Sequence, residues 1–267
     1  GLIIIDEQHK FGVNQRKRLS DKGGNNCDVL VMSATPIPRT MMMTIYGDMD
    51  ISLIKSKPKN RKPIKTYSKN ETKIDEVIKF IKSEILKKNQ IFWVCPLIKE
   101  SQKIDHQSAI EKYKYLSKIL KYNVDIIHGS MNKDERENVL NKFKEKKIDI
   151  LVSTTVIEVG IDFPNANVIV IENSNKYGLS QLHQLRGRVG RGEREASCIL
   201  LFKAGLSENA RKRITILKNT NDGFKVAEED LKIRGYGDIL GFKQSGLKKY
   251  NLADPLKHKD LFDLAEA

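Results

Sequence analysis

Two adjacent carboxylates follow the first apolar run of the chain. Asp6 and Glu7 come directly after Leu2–Ile5, a run of aliphatic residues. At the carboxyl end of a parallel strand, nucleotide hydrolases of the phosphate-loop class place a carboxylate that holds Mg²⁺. A second carboxylate there can orient and deprotonate an attacking water. Alone, this pattern is weak evidence for hydrolysis, because acidic residues commonly end strands.

A pair of arginines forms the second candidate site. Arg188 and Arg191 end the pattern Gln-x-x-Gly-Arg-x-x-Arg, which begins at Gln184. We place both near the start of a helix, where residues three apart share a face. Guanidinium groups stay charged and donate through a fork of N–H groups. Both side chains would therefore suit a triphosphate, and one could stabilise charge on a transferring γ-phosphate.

Short apolar runs alternate with segments of helical spacing, which indicates crossover connections and a mainly parallel sheet. Ligands of such sheets bind at the carboxyl ends of strands, where we expect the chemistry-bearing residues. The first run, without alternation, predicts a strand buried on both faces. The predicted strands are 2–5, 29–32, 91–94, 124–127, 148–152, 168–171 and 199–202, and the helices are 74–86, 110–120, around 139–143, 207–219 and 224–233.

A basic, proline-marked stretch separates the first two strands from the rest. Residues 55–73 contain eight Lys or Arg and one Glu, together with Pro58 and Pro63. Polar composition with prolines is typical of connecting segments. We predict a linker here.

Composition favours a folded chain with a polyanionic partner. Of 267 residues, 39% are hydrophobic and 31% charged, which argues against disorder. Lys and Arg number 48 against 34 Asp and Glu, a net charge of +14. That excess suits nucleic acid first and a membrane surface second, although frequent Lys, Asn and Ile also fit compositional drift.

Membrane, secretory and zinc-binding classes find no support in the sequence. Apolar runs stay far below the ~18 residues that span a bilayer, and no basic region precedes the first one, as a signal peptide would require. Cys27, Cys95 and Cys198 lie far apart with no CxxC spacing. We therefore expect buried free thiols and a cytoplasmic protein without a disulfide framework or zinc site.

Four motifs occur in order: DEQH at 6–9, SAT at 33–35, STTVIEVGID at 153–162 and QLHQLRGRVGR at 181–191. They resemble motifs II, III, V and VI of superfamily 2 helicases. The longer stretches DEQHKFGVNQR, MSATPIPRT, WVCPLI, TTVIEVGIDFPNA and NDGF…DLKIRGYGDILGFKQSG resemble the RecG family of bacterial ATP-dependent DNA helicases over essentially the whole chain. The transcription-repair coupling factor shares the ATPIPRT stretch and the tail motif and is the main alternative.

The resemblance implies a role for each matched residue. Asp6 and Glu7 would hold Mg²⁺ and activate water, and Arg188 and Arg191 would act on ATP. Arg213 and Arg234 would belong to a coupling hairpin; the alternative is that both are ordinary surface cations. The full implied set is Gly160, Asp162, Gln184, Arg188 and Arg191 for ATP binding, Gln8, His9, Ser33, Ala34, Thr35, Arg213, Arg234 and Gln244 for coupling, and His128, Gly129, Thr154 and Thr155 for DNA binding.

The resemblance also implies an α/β fold: RecA-like parallel sheets with flanking helices, a partial first motor domain, a complete second one and a C-terminal helical hairpin. The implied function is an ATP-dependent DNA helicase or translocase that remodels stalled replication forks and branched recombination intermediates. It would use ATP and Mg²⁺, bind branched or forked double-stranded DNA and act as a monomer. The expected boundaries are 1–57 and 58–205 for the two motor domains, 206–250 for the hairpin and translocation loop, and 251–267 for the tail.

The sequence contains no G-x-x-x-x-G-K-[ST] phosphate-binding loop, and its first residues already predict a central strand. We expect the C-terminal part of a longer polypeptide, whose phosphate-loop region and N-terminal wedge lie upstream. Positioning and charge stabilisation make up nearly all of phosphoryl-transfer catalysis, so we expect the chain alone to be inactive. Two alternatives remain: a DNA-binding module without ATPase activity in isolation, or the motor part of a transcription-repair coupling factor.

Overall fold

The computed structural model describes residues 1–6, 27–33, 50, 52–54, 56, 61–96, 102–154 and 162–234, with only the backbone described at 102–107 and 234. These residues fall into two compact units, one within Gly1–Gly47 and the other within Asp48–Gly246.

The first unit contains two parallel strands, β1 (Leu2–Ile5) and β2 (Asp28–Val31). Both lie where the sequence predicts strands. The predicted burial of β1 on both faces is wrong: Ile5 is buried, but Leu2 is 62% and Ile4 58% exposed. Among the described residues only β2 pairs with β1, and side chains alternate between faces along a strand. One face of this pair therefore remains apolar and exposed.

The second unit is a six-stranded parallel sheet with helices on both faces. Its strand order is β3-β8-β7-β4-β6-β5, which confirms the predicted crossover architecture. The strands are β3 (Lys65–Asn70), β4 (Gln90–Val94), β5 (Val124–Ile127), β6 (Ile150–Ser153), β7 (Ala166–Ile171) and β8 (Ser197–Phe202), and the helices are α1 (Ile74–Leu86), α2 (Gln102–Ile119), α3 (Lys133–Lys144), α4 (Leu179–Arg186), α5 (Glu208–Asn219) and α6 (Gly223–Arg234), with 3₁₀ turns at Glu71–Lys73 and Ser174–Lys176.

Two hydrophobic cores lie on opposite faces of this sheet. In the central strand β4, Trp93 packs in the core of α1 and α2, while Phe92 packs in the core of α3 to α6. The Phe92 ring lies 5.0 Å from Phe143 and 5.7 Å from Phe163, centroid to centroid. All five residues of β4 are buried. Alternate residues of one strand thus fasten both helical layers to the sheet.

Part of the predicted linker forms the strand β3. Lys65 and Tyr67 are exposed, whereas Thr66 and Ser68, which alternate with them, are half-buried. The strand pairs only with β8 among the described strands, so it is an edge strand. Lysines are common on edge strands because they discourage further strand pairing. The linker prediction is therefore wrong over 65–70.

Side-chain caps set the start of two helices after β5 and β8. Asn132 accepts from the Glu135 amide at 2.8 Å, and the Glu135 carboxylate accepts from the Asn132 amide at 3.1 Å, which forms a capping box at α3. Ser207 accepts from the Ala210 amide at 3.3 Å at α5. Each cap contributes about 1 kcal/mol to helix stability.

All three cysteines are free thiols, which confirms the prediction that they form no disulfide. Burial raises the pKa of Cys198 to about 12 and raises that of Cys95 as well. Cys27 is only half-buried, so the prediction of three buried thiols holds for the other two. Among the helices described, none is long and apolar enough to cross a bilayer.

Candidate nucleotide and DNA sites

The arginines of the predicted ATP site lie on a loop, residues 187–196, which we call the arginine loop. Helix α4 ends at Arg186, where the Gly187 amide donates to His183 O at 3.0 Å. The prediction that Arg188 and Arg191 lie near a helix start is therefore wrong. Gly187 caps the C-terminus of this helix. Gly190 has a left-handed φ of +68°, a conformation that residues with a Cβ atom disfavour.

The arginine loop lies at the amino edge of the sheet. The Gly190 amide donates to Ala166 O, at the start of β7, at 3.3 Å, and the Lys65 amide at the start of β3 donates to Ala196 O at 2.9 Å. The expectation that chemistry-bearing residues lie at carboxyl strand ends is wrong for this loop. A Cβ on Gly192 would come within 2.8 Å of Pro164 O, so glycine is required for this close packing.

Cationic groups converge on one carbonyl of the arginine loop. Gly187 O lies 3.4 Å from Nε of Arg191 and 3.5 Å from Nη2 of Arg61. Asp162 Oδ1 lies 3.7 Å from Nε of Arg191. Nucleotide phosphates carry only acceptor oxygens, so guanidinium donors gathered at one point fit a polyphosphate. Arg61 was not predicted as a site residue; its only sequence signal is membership of a basic stretch.

The other predicted residues of this site lie close by. Gln184 is half-buried in the last turn of α4, and Arg188 is half-buried just after it. The exposed carboxylate of Asp162 pairs with Arg191, with 3.7 Å between Oδ1 and Nε. Which of these residues bind nucleotide remains a prediction.

The far end of the arginine loop is anchored to two elements. Arg194 Nη1 donates to Lys87 O and Lys88 O, both at 3.2 Å, just beyond the end of α1. Lys65 Nζ donates to Glu195 Oε2 at 2.8 Å. This ion pair raises the pKa of Lys65 and lowers the pKa of Glu195. The loop is thus tied to the sheet and to α1.

Arg186 is an important residue that the sequence reasoning missed. It is 2% exposed, and burial away from water lowers its pKa. Its Nη1 donates to Leu217 O at 2.7 Å and to Thr220 O at 2.8 Å, at the end of α5, and Nη2 lies 2.9 Å from His183 Nδ1. Cations are favourable at helix C-termini. Arg186 therefore joins the helix before the arginine loop to α5.

Two further contacts hold α5 and α6 against the rest of the unit. Arg213 on α5 donates from Nη2 to Asn175 O at 3.1 Å. Ser180 on α4 donates to the buried Asp230 carboxylate on α6 at 2.6 Å. Arg213 is half-buried with a carbonyl partner, unlike an ordinary surface cation. The hairpin of α5 and α6 is therefore in direct contact with α4.

The predicted DNA residues lie at the opposite, carboxyl edge of the sheet. His128 follows β5, with Nδ1 2.9 Å from Ser130 Oγ, and a Cβ on Gly129 would meet nothing within 4 Å. Thr154 follows the neighbouring strand β6, is buried, and donates its amide to Ile127 O at 3.4 Å. His128 is half-buried and Gly129 is exposed here, whereas Thr154 is buried and its amide donates within the sheet.

In the first unit, two predicted residues lie at the same sheet edge. Asp6 follows β1 and Ser33 lies beyond β2, and the Met32 amide donates to Ile5 O at 2.7 Å. The Asp6 carboxylate is exposed, which fits Mg²⁺, since that ion takes one or two carboxylates plus phosphates and waters. Of the other predicted residues, Arg234 ends α6 without a described side chain, and Glu7, Gln8, His9, Ala34, Thr35, Thr155, Gly160 and Gln244 lie outside the described residues.

Two family models match the sequence. The helicase conserved C-terminal domain matches residues 72–193. The C-terminal part of domain 3 of the ATP-dependent DNA helicase RecG matches residues 220–265. The first match covers β4 to β7, α1 to α4 and most of the arginine loop, and the second covers α6 and the residues beyond it.

Relatives match nearly the whole chain. ATP-dependent DNA helicase RecG of Bacillus subtilis is 48% identical over 95% of this chain and 37% of its own length. The RecG of Thermotoga maritima is 48% identical over 99% of this chain and 34% of its own length. The chain therefore spans about a third of the length of these relatives.

Solved structures confirm the RecA-like fold. A RecG bound to a three-way DNA junction matches with a TM-score of 0.74 and 45% identity, over 98% of this chain and 33% of that one. Dbp5 of S. cerevisiae bound to RNA and ADP BeF3 matches with a TM-score of 0.59 over 88% of this chain and 63% of that one, but at only 18% identity, so it supports the fold alone. The sequence, the family models and the relatives agree: the chain belongs to the family of proteins named ATP-dependent DNA helicase RecG.

Proposed function

We propose that this chain supplies the second motor domain and the coupling hairpin of an ATP-dependent DNA helicase that acts on branched DNA. The observation that carries the proposal is the arginine loop, with Arg61 and Arg191 gathered on Gly187 O at one edge of a RecA-like sheet. Relatives named as helicases and a relative bound to a three-way junction support it. Remodelling of stalled forks is the finer form of this proposal.

In this proposal the arginine loop faces the triphosphate of ATP. Arg188 and Arg191 would stabilise charge that develops on the γ-phosphate, as an arginine finger does. Asp162 orients Arg191 through their 3.7 Å contact. Asp6 and Glu7 would hold Mg²⁺ and position the attacking water from the first motor domain. Mg²⁺ itself would neutralise charge on the phosphates.

The hairpin would carry the nucleotide state to DNA. Arg186 bonds to the end of α5, only two residues before Arg188, so a shift of the arginine loop on hydrolysis displaces α5. Arg213 and Asp230 hold the hairpin to the same region. We assign coupling to Arg213, Arg234 and Gln244, and DNA contact to His128 and its neighbours. The domain boundaries 1–57, 58–205, 206–250 and 251–267 are part of this proposal.

ATP hydrolysis with and without a synthetic three-way junction tests the proposal. The 267-residue chain is compared with the same chain joined to the upstream region of its Bacillus subtilis relative, which provides the complementary part of the helicase. We expect hydrolysis only in the extended protein, and stimulation by the junction. Comparable turnover by the chain alone would contradict the division of the active site between the two parts.

The alternative that this chain acts only as a DNA-binding module makes a different prediction. In that case the extended protein binds the junction but hydrolyses no ATP above a Glu7→Gln control. The net charge of +14 is the observation that favours this alternative. The same pair of proteins therefore separates the two functions.

A further inference from the structure

A cationic groove lies between the edge strand β3 and helix α5, about 370 Å³ in volume. Its polar lining comes from Ser68 and Asn70 at the end of β3 and from Arg211, Thr215 and Lys218 on α5, and its apolar floor includes Ile214. The volume falls within the roughly 300–1,000 Å³ of small-ligand pockets. We call this the α5 groove.

Every polar group in the α5 groove can donate, and none of its lining residues is acidic. Asn70 Oδ1 already accepts from the Thr72 amide at 3.0 Å, which leaves its NH₂ group to donate. Arg211, Thr215 and Lys218 have the spacing that places residues on one side of a helix. A ligand that fits must therefore offer acceptors and negative charge, as a phosphate does.

Neighbouring lysines pair with carboxylates, whereas, among the described residues, the cations of the α5 groove do not. Lys212 on the same helix pairs with Glu208 at 2.6 Å, and Lys69 on β3 pairs with Glu76 at 2.6 Å. Within the part of the chain that the structure describes, Arg211 and Lys218 have no such carboxylate. Their charge is therefore available to an anion from outside.

The α5 groove opens at the same sheet edge as the proposed DNA residues. It is lined by the carboxyl ends of β3 and β8, while His128 and Gly129 follow the carboxyl end of β5. Strands β3 and β5 are the two edges of the sheet. Five strand spacings of ~4.8 Å separate them by roughly 24 Å, the axial length of about seven base pairs.

We propose that the α5 groove binds the phosphodiester backbone of DNA, several base pairs from the contact at His128. The proposal rests on the proposed DNA helicase function. It adds a second contact for the same DNA on the helix that Arg186 ties to the arginine loop. Such a contact would let movement of α5 act on DNA directly. This contact would depend on charge and not on base sequence, because phosphate contacts carry no sequence information.

DNA affinity measured against salt tests this contact. Fluorescence anisotropy with a labelled duplex compares the 267-residue chain with Arg211→Gln/Lys218→Gln. The matched control is Lys79→Gln/Lys82→Gln, which removes the same charge from the exposed side of α1. Each lost phosphate contact lowers the slope of log affinity against log salt by about 0.9. We expect the groove variant to lose about one to two units of slope, and the control to lose none.

Three outcomes separate the possibilities. Equal slopes for wild type and groove variant would overturn this proposal alone, whereas failure of the wild-type chain to bind DNA would overturn it together with its DNA-binding basis. Loss of inorganic phosphate binding with unchanged DNA affinity would assign the groove to a free anion and overturn the DNA contact. Lys218→Glu, a single surface change, repeats the test if the double variant does not fold, and it should lower the slope further than Lys218→Gln.

Discussion

Two arginines separated by one residue have opposite environments. Arg186 is buried and bonds to carbonyls at the end of α5, whereas Arg188 is half-buried on the arginine loop. A buried guanidinium that donates to backbone carbonyls stabilises the folded state, because its removal leaves those acceptors without partners. A half-exposed guanidinium near a proposed phosphate site acts on the bound ligand instead. Truncation of the two side chains should therefore have different effects, on fold stability for Arg186 and on the bound ligand for Arg188.

We predict that truncation of Arg186 lowers mainly the stability of the fold, whereas truncation of Arg188 lowers mainly ATP hydrolysis. Arg186→Ala should lower the free energy of unfolding by about 2–3 kcal/mol, since hydrogen bonds to charged groups are worth about 1.5–3 kcal/mol each and burial of the charge offsets part of that. Arg188→Ala should change it by less than about 1 kcal/mol but reduce ATP hydrolysis by ~10³-fold or more in the extended protein. Urea unfolding and steady-state ATPase assays measure the two effects. Unchanged hydrolysis in Arg188→Ala would remove its catalytic assignment.

At the scale of elements, the position of the arginine loop depends on a glycine with a forced conformation. Gly190 has φ +68°, and a Cβ there would lie 2.9 Å from the Ala196 Cβ and 3.3 Å from Ile64 Cγ1. Gly205 has φ +78°, and a Cβ there would meet nothing within 4 Å. A substitution at either glycine therefore places a side chain on a left-handed backbone. Only at Gly190 does the added Cβ also overlap with neighbouring atoms.

Comparison of Gly190→Ala with Gly205→Ala isolates that overlap. We expect Gly205→Ala to cost about 1 kcal/mol, from the left-handed backbone alone. Gly190→Ala should cost about 2–4 kcal/mol, because overpacking adds ~1–3 kcal/mol, and the displaced loop should also lower ATPase activity in the extended protein. Chemical denaturation measures the first effect. Equal costs at both positions would show that the loop has room to adjust and is not fixed by this packing.

The elements differ in how far the sequence revealed them. Strands β4 and β7 were predictable because buried strands of a parallel sheet consist of continuous apolar residues. Strand β3 was not, since its exposed Lys65 and Tyr67 alternate with other polar residues and match the composition of a linker. The motif pattern identified Arg188 and Arg191 as special, but the burial of Arg186 depends on α5, which lies far along the chain. A local sequence pattern does not predict a contact between residues 31 positions apart, such as that between Arg186 and Leu217.

At the scale of the whole molecule, charge and sheet geometry divide the proposed functions between two edges. The arginine loop lies at the amino edge of the six-stranded sheet, and His128 lies at its carboxyl edge with the α5 groove. Helix α5 reaches toward both, through its bond to Arg186 at one end and its groove residues along its length. The proposed nucleotide site and the proposed DNA contacts of this unit therefore occupy different surfaces.

The net charge of the whole chain leads to a prediction about the proposed binding of DNA. Its excess of 14 positive charges attracts any phosphate backbone, and such binding has little dependence on sequence or branching. We expect the 267-residue chain to bind a three-way junction and a linear duplex of equal length with about the same affinity. Both affinities should fall steeply between about 50 and 200 mM salt. Competition anisotropy with the two unlabelled DNAs measures the ratio directly. A strong junction preference that survives the higher salt would mean that this chain itself recognises the branch, because charge attraction is screened under those conditions.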